Sequence, residues 1–170
     1  VMWSSSGFLG VDYFSANTFY YLSSPFLIPF IFTPKILIPQ MIFFMMVIKM
    51  TAGGFFFYIL LKKYFNTSNK TSLIGSFAYA LSGWGMYYLW FNHFHDVLAL
   101  FPLLLIGIEH VLKNNKGWIL SLSLMILGMA NYFFLFGFAI LGVFYALFRY
   151  FQCFKANKGR NLKVIGNGIL

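Results

Sequence analysis

Carboxylates are scarce in this chain: Asp12, Asp96 and Glu109 are the only acidic residues among 170, and charged side chains make up 9% of the sequence. So little charge, against 61% hydrophobic residues and a mean hydropathy of +0.79, excludes a soluble domain, which needs far more polar surface to cover such a core. The single cysteine, Cys153, excludes an intrachain disulfide. The surplus of positive charge, +9 overall, does not read as a nucleic-acid surface. Its lysines and arginines gather at the ends of apolar stretches (Lys62, Lys63 and Lys70; Lys113 and Lys116; Arg149 through Lys163), which is the pattern of cytoplasmic membrane loops. The sequence therefore predicts an all-α, polytopic transmembrane helical bundle lying in a lipid bilayer. The start at Val1 and the loop-like end, Asn167 to Leu170, read as those of an internal fragment of one transmembrane domain covering residues 1–170.

About five membrane helices are expected, preceded by an interfacial or re-entrant segment. Residues 1–37 read as an extracytoplasmic loop and that segment, because Pro25, Pro29 and Pro34 interrupt an otherwise apolar run and Tyr20 and Tyr21 suit an interface. Membrane helices are expected over 38–151, and 152–170 reads as a cytoplasmic loop. Ile38 to Leu61 is the first span, Leu73 to Phe91 the second and Leu98 to Leu112 the third. As one helix, Trp118 to Phe148 would be about 45 Å long, well beyond a ~30 Å hydrocarbon core. A hairpin of two short helices turning near Asn131 and Tyr132 keeps the basic clusters on one side, and a single tilted helix is the alternative. Two sequons, at Asn66 and Asn69, fall in a loop on the basic side and carry no weight.

The polar cluster Asn92-His93-Phe94-His95-Asp96 stands between two apolar stretches and is expected on the extracytoplasmic face, together with Asp12 and Asn131. Asp96 reads either as a general base or as the N-cap of a helix starting at Val97. His93 and His95, at i and i+2, would share one side of an extended segment, but the sequence supplies no further ligands on that face to complete a metal site. Lys49 lies inside the first span, where a charge must face the bundle interior, a partner or water; it reads as a counter-charge for an anionic ligand or as a snorkelling side chain. Gly53, Gly54, Gly75, Gly83 and Gly85 read as helix-packing positions. Gly83-x-Gly85 is no nucleotide loop, since no strand precedes it. Glu109 and His110 read as a snorkelled pair at a helix end rather than a catalytic dyad.

An ordered series of short motifs resembles the bacterial YfhO family. It runs through Tyr20-Tyr21-Leu22-Ser23-Ser24-Pro25-Phe26, Lys49 with Ala52-Gly53, Leu61-Lys62-Lys63 and Ser76 to Gly83. It continues through Phe91-Asn92, Asp96, Leu100-Phe101-Pro102-Leu103-Leu104, Gly107-Ile108-Glu109 and Asn131-Tyr132-Phe133. The similarity extends to about Tyr150; His93 and His95 depart from the family pattern. The resemblance implies a GT-C-type glycosyltransferase that takes a sugar from a polyprenyl phosphate on the outer face and decorates a cell-envelope polymer such as lipoteichoic acid. It needs no cofactor. Asp96 would be a catalytic carboxylate, unless the principal acid lies upstream of Val1. Lys49, Asn92, His93, His95, Asp12 and Asn131 would contact substrate. A transporter or flippase with an ion path through Lys49, Asp96 and the histidines is the rival reading, and a noncatalytic membrane subunit is the third.

Overall fold

The computed structural model describes residues 3–4, 11–12 and 23–156. Trp3–Ser4 (β1) and Val11–Asp12 (β2) form a short antiparallel ladder, with Trp3 opposite Asp12. All the other regular elements among the described residues are helical. Prolines break residues 23–37 into short pieces: a turn of 3-10 helix at Pro25–Leu27, α1 at Ile28–Ile31, and a second 3-10 turn at Lys35–Leu37. None of these is long enough to cross a bilayer. Tyr20 and Tyr21 lie outside the described residues.

α2 spans Ile38–Ile59 and continues through a wider π turn, Leu60–Tyr64. α3 spans Asn69–Ala80, capped by the Ser68 side chain, which accepts a hydrogen bond from the Thr71 N–H at 3.2 Å. α4 is a short helix at Gly83–Tyr87, α5 runs Asn92–Asn114, α6 Trp118–Ala130 and α7 Tyr132–Ala156. α5 ends where Asn115 adopts the left-handed conformation (φ 55°).

Contacts between the helices fix their directions. Lys49 meets Asp96, the Gly53 Cα faces Leu98 and Ala99, and Lys113 donates a hydrogen bond to the Tyr64 carbonyl, so α2 and α5 run parallel. Phe94 packs on Phe134, Phe101 on Phe138 and Tyr145 on Glu109, so α7 runs parallel to them. α3 with α4, and α6, return between them. One end of the bundle therefore carries Lys62, Lys113 and Arg149, and the other carries Asn92 and Asn131.

Three stretches are long and apolar enough to cross a membrane: Lys35–Tyr64, Asn92–Asn114 and Tyr132–Gln152. The all-α bundle expected is present; of about five membrane helices, these three are of full-span length and the other two passes are shorter. The second, expected to be continuous from Leu73 to Phe91, breaks at Leu81–Ser82. α3 alone rises about 18 Å, too little for a ~30 Å core. The hairpin at Asn131 forms, but its arms are unequal, 13 and 25 residues.

Pro102 lies inside α5 and cannot donate to the carbonyl four residues earlier, at Leu98. The Tyr79 hydroxyl from α3 donates to that freed carbonyl at 2.8 Å. Gly53 lets α2 approach the same point, since a Cβ there would stand 3.0 Å from the Leu98 oxygen. Three helices are thus tied together one turn below the polar cluster. Gly54 packs on Ser76 and Ala80 in the same way, whereas Gly83 has nothing within 4 Å and is no packing position.

Candidate functional site

The polar cluster is the first helical turn of α5 rather than a loop, and this changes the geometry of its members. The N-cap position is Phe91, so Asp96 lies inside the helix and does not cap it. On a helix, residues i and i+2 project about 200° apart. His93 and His95 therefore face different ways and do not form the ligand pair expected of an extended segment. His95 is buried (1% exposed), and its Nε2–H donates to the Gly85 carbonyl at 3.0 Å. His93 is half-buried and stacks edge-on against Phe91 and Phe94. Among the described residues no three of His, Cys, Asp and Glu gather as a metal centre would require.

Lys49 and Asp96 are both fully buried (0% exposed) and meet at 2.5 Å. The ammonium directs its aligned hydrogen bonds to Asn92, to the backbone carbonyl at 3.1 Å and to the side-chain Oδ1 at 2.5 Å. The Asn92 amide reaches back to α2, donating to the Ile42 carbonyl at 3.4 Å. Asp96 is held differently: it pairs with the Lys49 ammonium at 2.5 Å, but neither carboxylate oxygen has a well-aligned hydrogen-bond donor. The Ser24 side chain faces the same carboxylate, and Phe26 places its ring 5.5 Å from the ammonium. Ser24, Lys49, Asn92 and Asp96, from three separate parts of the chain, thus converge on one point. Lys49 does not snorkel; its counter-charge is Asp96.

Asn131 is buried (1% exposed) between α6 and α7. Its Oδ1 accepts the Phe134 N–H at 3.2 Å, capping α7, while its Nδ2 has no hydrogen-bond partner. His95 Nδ1 is likewise buried without one. Leaving such groups unsatisfied costs about 1–3 kcal/mol each, so both are exceptions in a packed interior. Asp12 belongs to a different setting, exposed in β2 opposite Trp3, and is not part of the buried cluster.

Aromatic side chains ring this end of the bundle: Trp84, Tyr87, Trp90, Phe91, Tyr132 and Phe133 are all exposed. A belt of Trp and Tyr is characteristic of the membrane–water interface. Alongside α2 an apolar groove of about 600 Å³ runs between α2 and α3, from Val47 and Met50 down to Tyr58 and Leu73. A smaller hollow of about 330 Å³ lies between Phe32–Pro34 and the start of α2.

The opposite end holds a second buried ion pair that the sequence did not reveal. Glu109 is fully buried and accepts hydrogen bonds from Arg149 Nε, Arg149 Nη2 (3.0 Å) and the Tyr145 hydroxyl (2.7 Å). His110 instead donates to the Lys116 carbonyl at 2.9 Å. The snorkelled Glu109–His110 pair is thus replaced by a clamp between α5 and α7. Forty residues separate Glu109 from Arg149 in sequence, and only the parallel packing of the two helices brings them together.

A family model described as bacterial membrane protein YfhO matches residues 1–170. No curated protein and no solved structure matches the chain.

Proposed function

The chain belongs to the YfhO family of bacterial membrane proteins, and on that premise we propose that it is part of a multi-pass membrane glycosyltransferase. It moves a sugar from a polyprenyl-phosphate donor to an extracytoplasmic cell-envelope polymer such as lipoteichoic acid. The observation that carries this reading is the convergence of Ser24, Lys49, Asn92 and Asp96 at one end of an apolar bundle. Depth supports it. From Lys62 to Lys49 the chain rises about 20 Å, and from Lys113 to Asp96 about 25 Å. In a ~30 Å core with the basic loops at the cytoplasmic surface, the cluster lies past the midplane and close to the outer boundary. The aromatic belt is at the same level. A polyprenyl phosphate keeps its phosphate at such a depth while its tail remains in lipid.

Asp96 takes the proton of the acceptor hydroxyl, and Lys49 stabilises the phosphate as negative charge develops on it. His93 lies at the half-buried rim, where it can contact the donor. The groove between α2 and α3 holds part of the prenyl chain. The experiment is transfer of labelled sugar from polyprenyl phosphate in membranes containing the full-length protein. Asp96→Asn should abolish transfer at unchanged expression, and retained transfer removes Asp96 from the chemistry.

One observation favours a transporter instead. α5 carries a buried ion pair near each end, Lys49–Asp96 and Glu109–Arg149, an arrangement suited to two alternating gates. Proton-coupled uptake by vesicles that show no sugar transfer would decide for that reading.

A further inference from the structure

Asn92 and Asp96 hold Lys49 in different ways. Asn92 holds the ammonium with aligned hydrogen bonds and is itself bonded to α2, so Lys49 keeps its place whether or not Asp96 is present. Asp96 pairs with the ammonium at 2.5 Å and has the Ser24 side chain as a second neighbour, but neither of its oxygens has a well-aligned donor. It is a counter-ion that can be exchanged. A fully buried ammonium left with no anion is strongly disfavoured, so the exchange must be anion for anion. Ser24 offers a hydroxyl to whichever anion is present, and it precedes a segment cut by Pro25, Pro29 and Pro34 into short turns. Lys49 does not itself line the groove along α2; the buried pair lies within an apolar bundle of membrane-spanning length, which suits an anion carrying a long apolar tail better than a free one.

We propose that Lys49 and Ser24 form a phosphate site for a membrane lipid ester, and that Asp96 occupies this site as an internal substitute until the lipid phosphate displaces it. The inference rests on the reading of the site as one that handles polyprenyl phosphate. Its consequence is ordered activation: the carboxylate is masked by Lys49 in the empty protein and becomes available to a hydroxyl once the donor is seated. No covalent bond changes in the exchange.

The test uses the unaltered full-length protein in nanodiscs, with sugar-free polyprenyl phosphate as probe. Labelling of Asp96 by a hydrophobic carbodiimide, read by mass spectrometry, should rise when the lipid is added, while labelling of Glu109 stays constant. A second arm measures binding of the same lipid. If Asp96 fills the site nine-tenths of the time, Asp96→Asn should bind about tenfold more tightly than wild type. Lys49→Met/Asp96→Leu, which leaves no unpaired charge, should not bind it. Labelling of Asp96 that stays constant or falls, in a protein that still transfers sugar, overturns the exchange and leaves the glycosyltransferase reading standing. Absence of lipid binding by wild type overturns both. An equal rise with inorganic phosphate overturns the assignment to a lipid.

Discussion

Replacing Arg149 with methionine should destabilise the bundle more than replacing its partner Glu109 with glutamine. The two ends of this ion pair differ in what remains after the other is removed. Glu109 is fully buried, and without Arg149 it retains a single donor, the Tyr145 hydroxyl at 2.7 Å. A buried carboxylate left in that state costs about 3–5 kcal/mol, or roughly two to four powers of ten in the folding equilibrium. Arg149 is 14% exposed, bonds Gln152 Oε1 at 2.8 Å and lies 4.6 Å over the Phe65 ring. Without the Glu109 charge it keeps those contacts, and glutamine preserves an acceptor for Tyr145. The loss should be about 1.5–2 kcal/mol, that of a charge-assisted hydrogen bond. The double variant Arg149→Met/Glu109→Leu should recover to within about 1 kcal/mol of wild type, because an apolar pair leaves no charge buried. Unfolding by SDS in mixed micelles, followed by circular dichroism, ranks the three proteins. If Glu109→Gln loses as much as Arg149→Met, the asymmetry of the clamp is wrong.

Three further outcomes follow from the packing. Tyr79→Phe leaves the Leu98 carbonyl unpaired beside Pro102 and should lose about 1–3 kcal/mol in the same unfolding assay; wild-type stability would mean that water or another donor reaches that carbonyl. A Cβ at Gly107 would stand 2.7 Å from the Leu120 Cα, so Gly107→Ala should force α6 away and destabilise by about 1–3 kcal/mol, partly offset by better helix propensity, whereas Gly137→Ala meets nothing and should be neutral or stabilising. With the other tryptophans replaced, Trp90 fluorescence should be quenched by headgroup-level quenchers of one leaflet and Trp118 by those of the other; quenching of both from the same side would refute the bundle's direction in the membrane.

Periodicity and charge were enough to find α2, α5 and the break at Asn131, because each is marked by something local: a long apolar run, a flanking basic pair, or a polar residue between apolar ones. The interruption of the second pass was missed because Leu81-Ser82-Gly83 is brief and the residues around it are apolar. The site was legible as a list and not as a geometry. Lys49 and Asp96 each stood out as a charge in the wrong place, but 47 positions separate them, and only helix packing shows that each answers the other. The histidines were misread for a different reason. Their spacing means one thing on an extended chain and the opposite on a helix, and the helix starts at Asn92, six residues earlier than the hydropathy boundary at Leu98 suggests. Glu109 found its partner on a third element, beyond the reach of any local signal.

The break between α3 and α4 has a consequence for water. Ser82 is in an extended conformation, so the backbone leaves the helical hydrogen-bond ladder at this point, and Gly85, just beyond, lies near Met50 and Leu98 at the depth of the buried pair. Peptide groups outside a helix persist at such a depth only beside protein polar groups or solvent. The break supplies such partners itself: the Leu81 and Ser82 N–H groups donate to the Phe77 and Tyr79 carbonyls, and the Ser82 carbonyl accepts from the Met86 N–H. An ion or a polar headgroup arriving at this depth would therefore meet peptide groups held in a short turn, whose hydrogen bonds open more readily than those of a continuous helix. Faster deuterium uptake at residues 81–83 than in the middle of α5 is the expected signature.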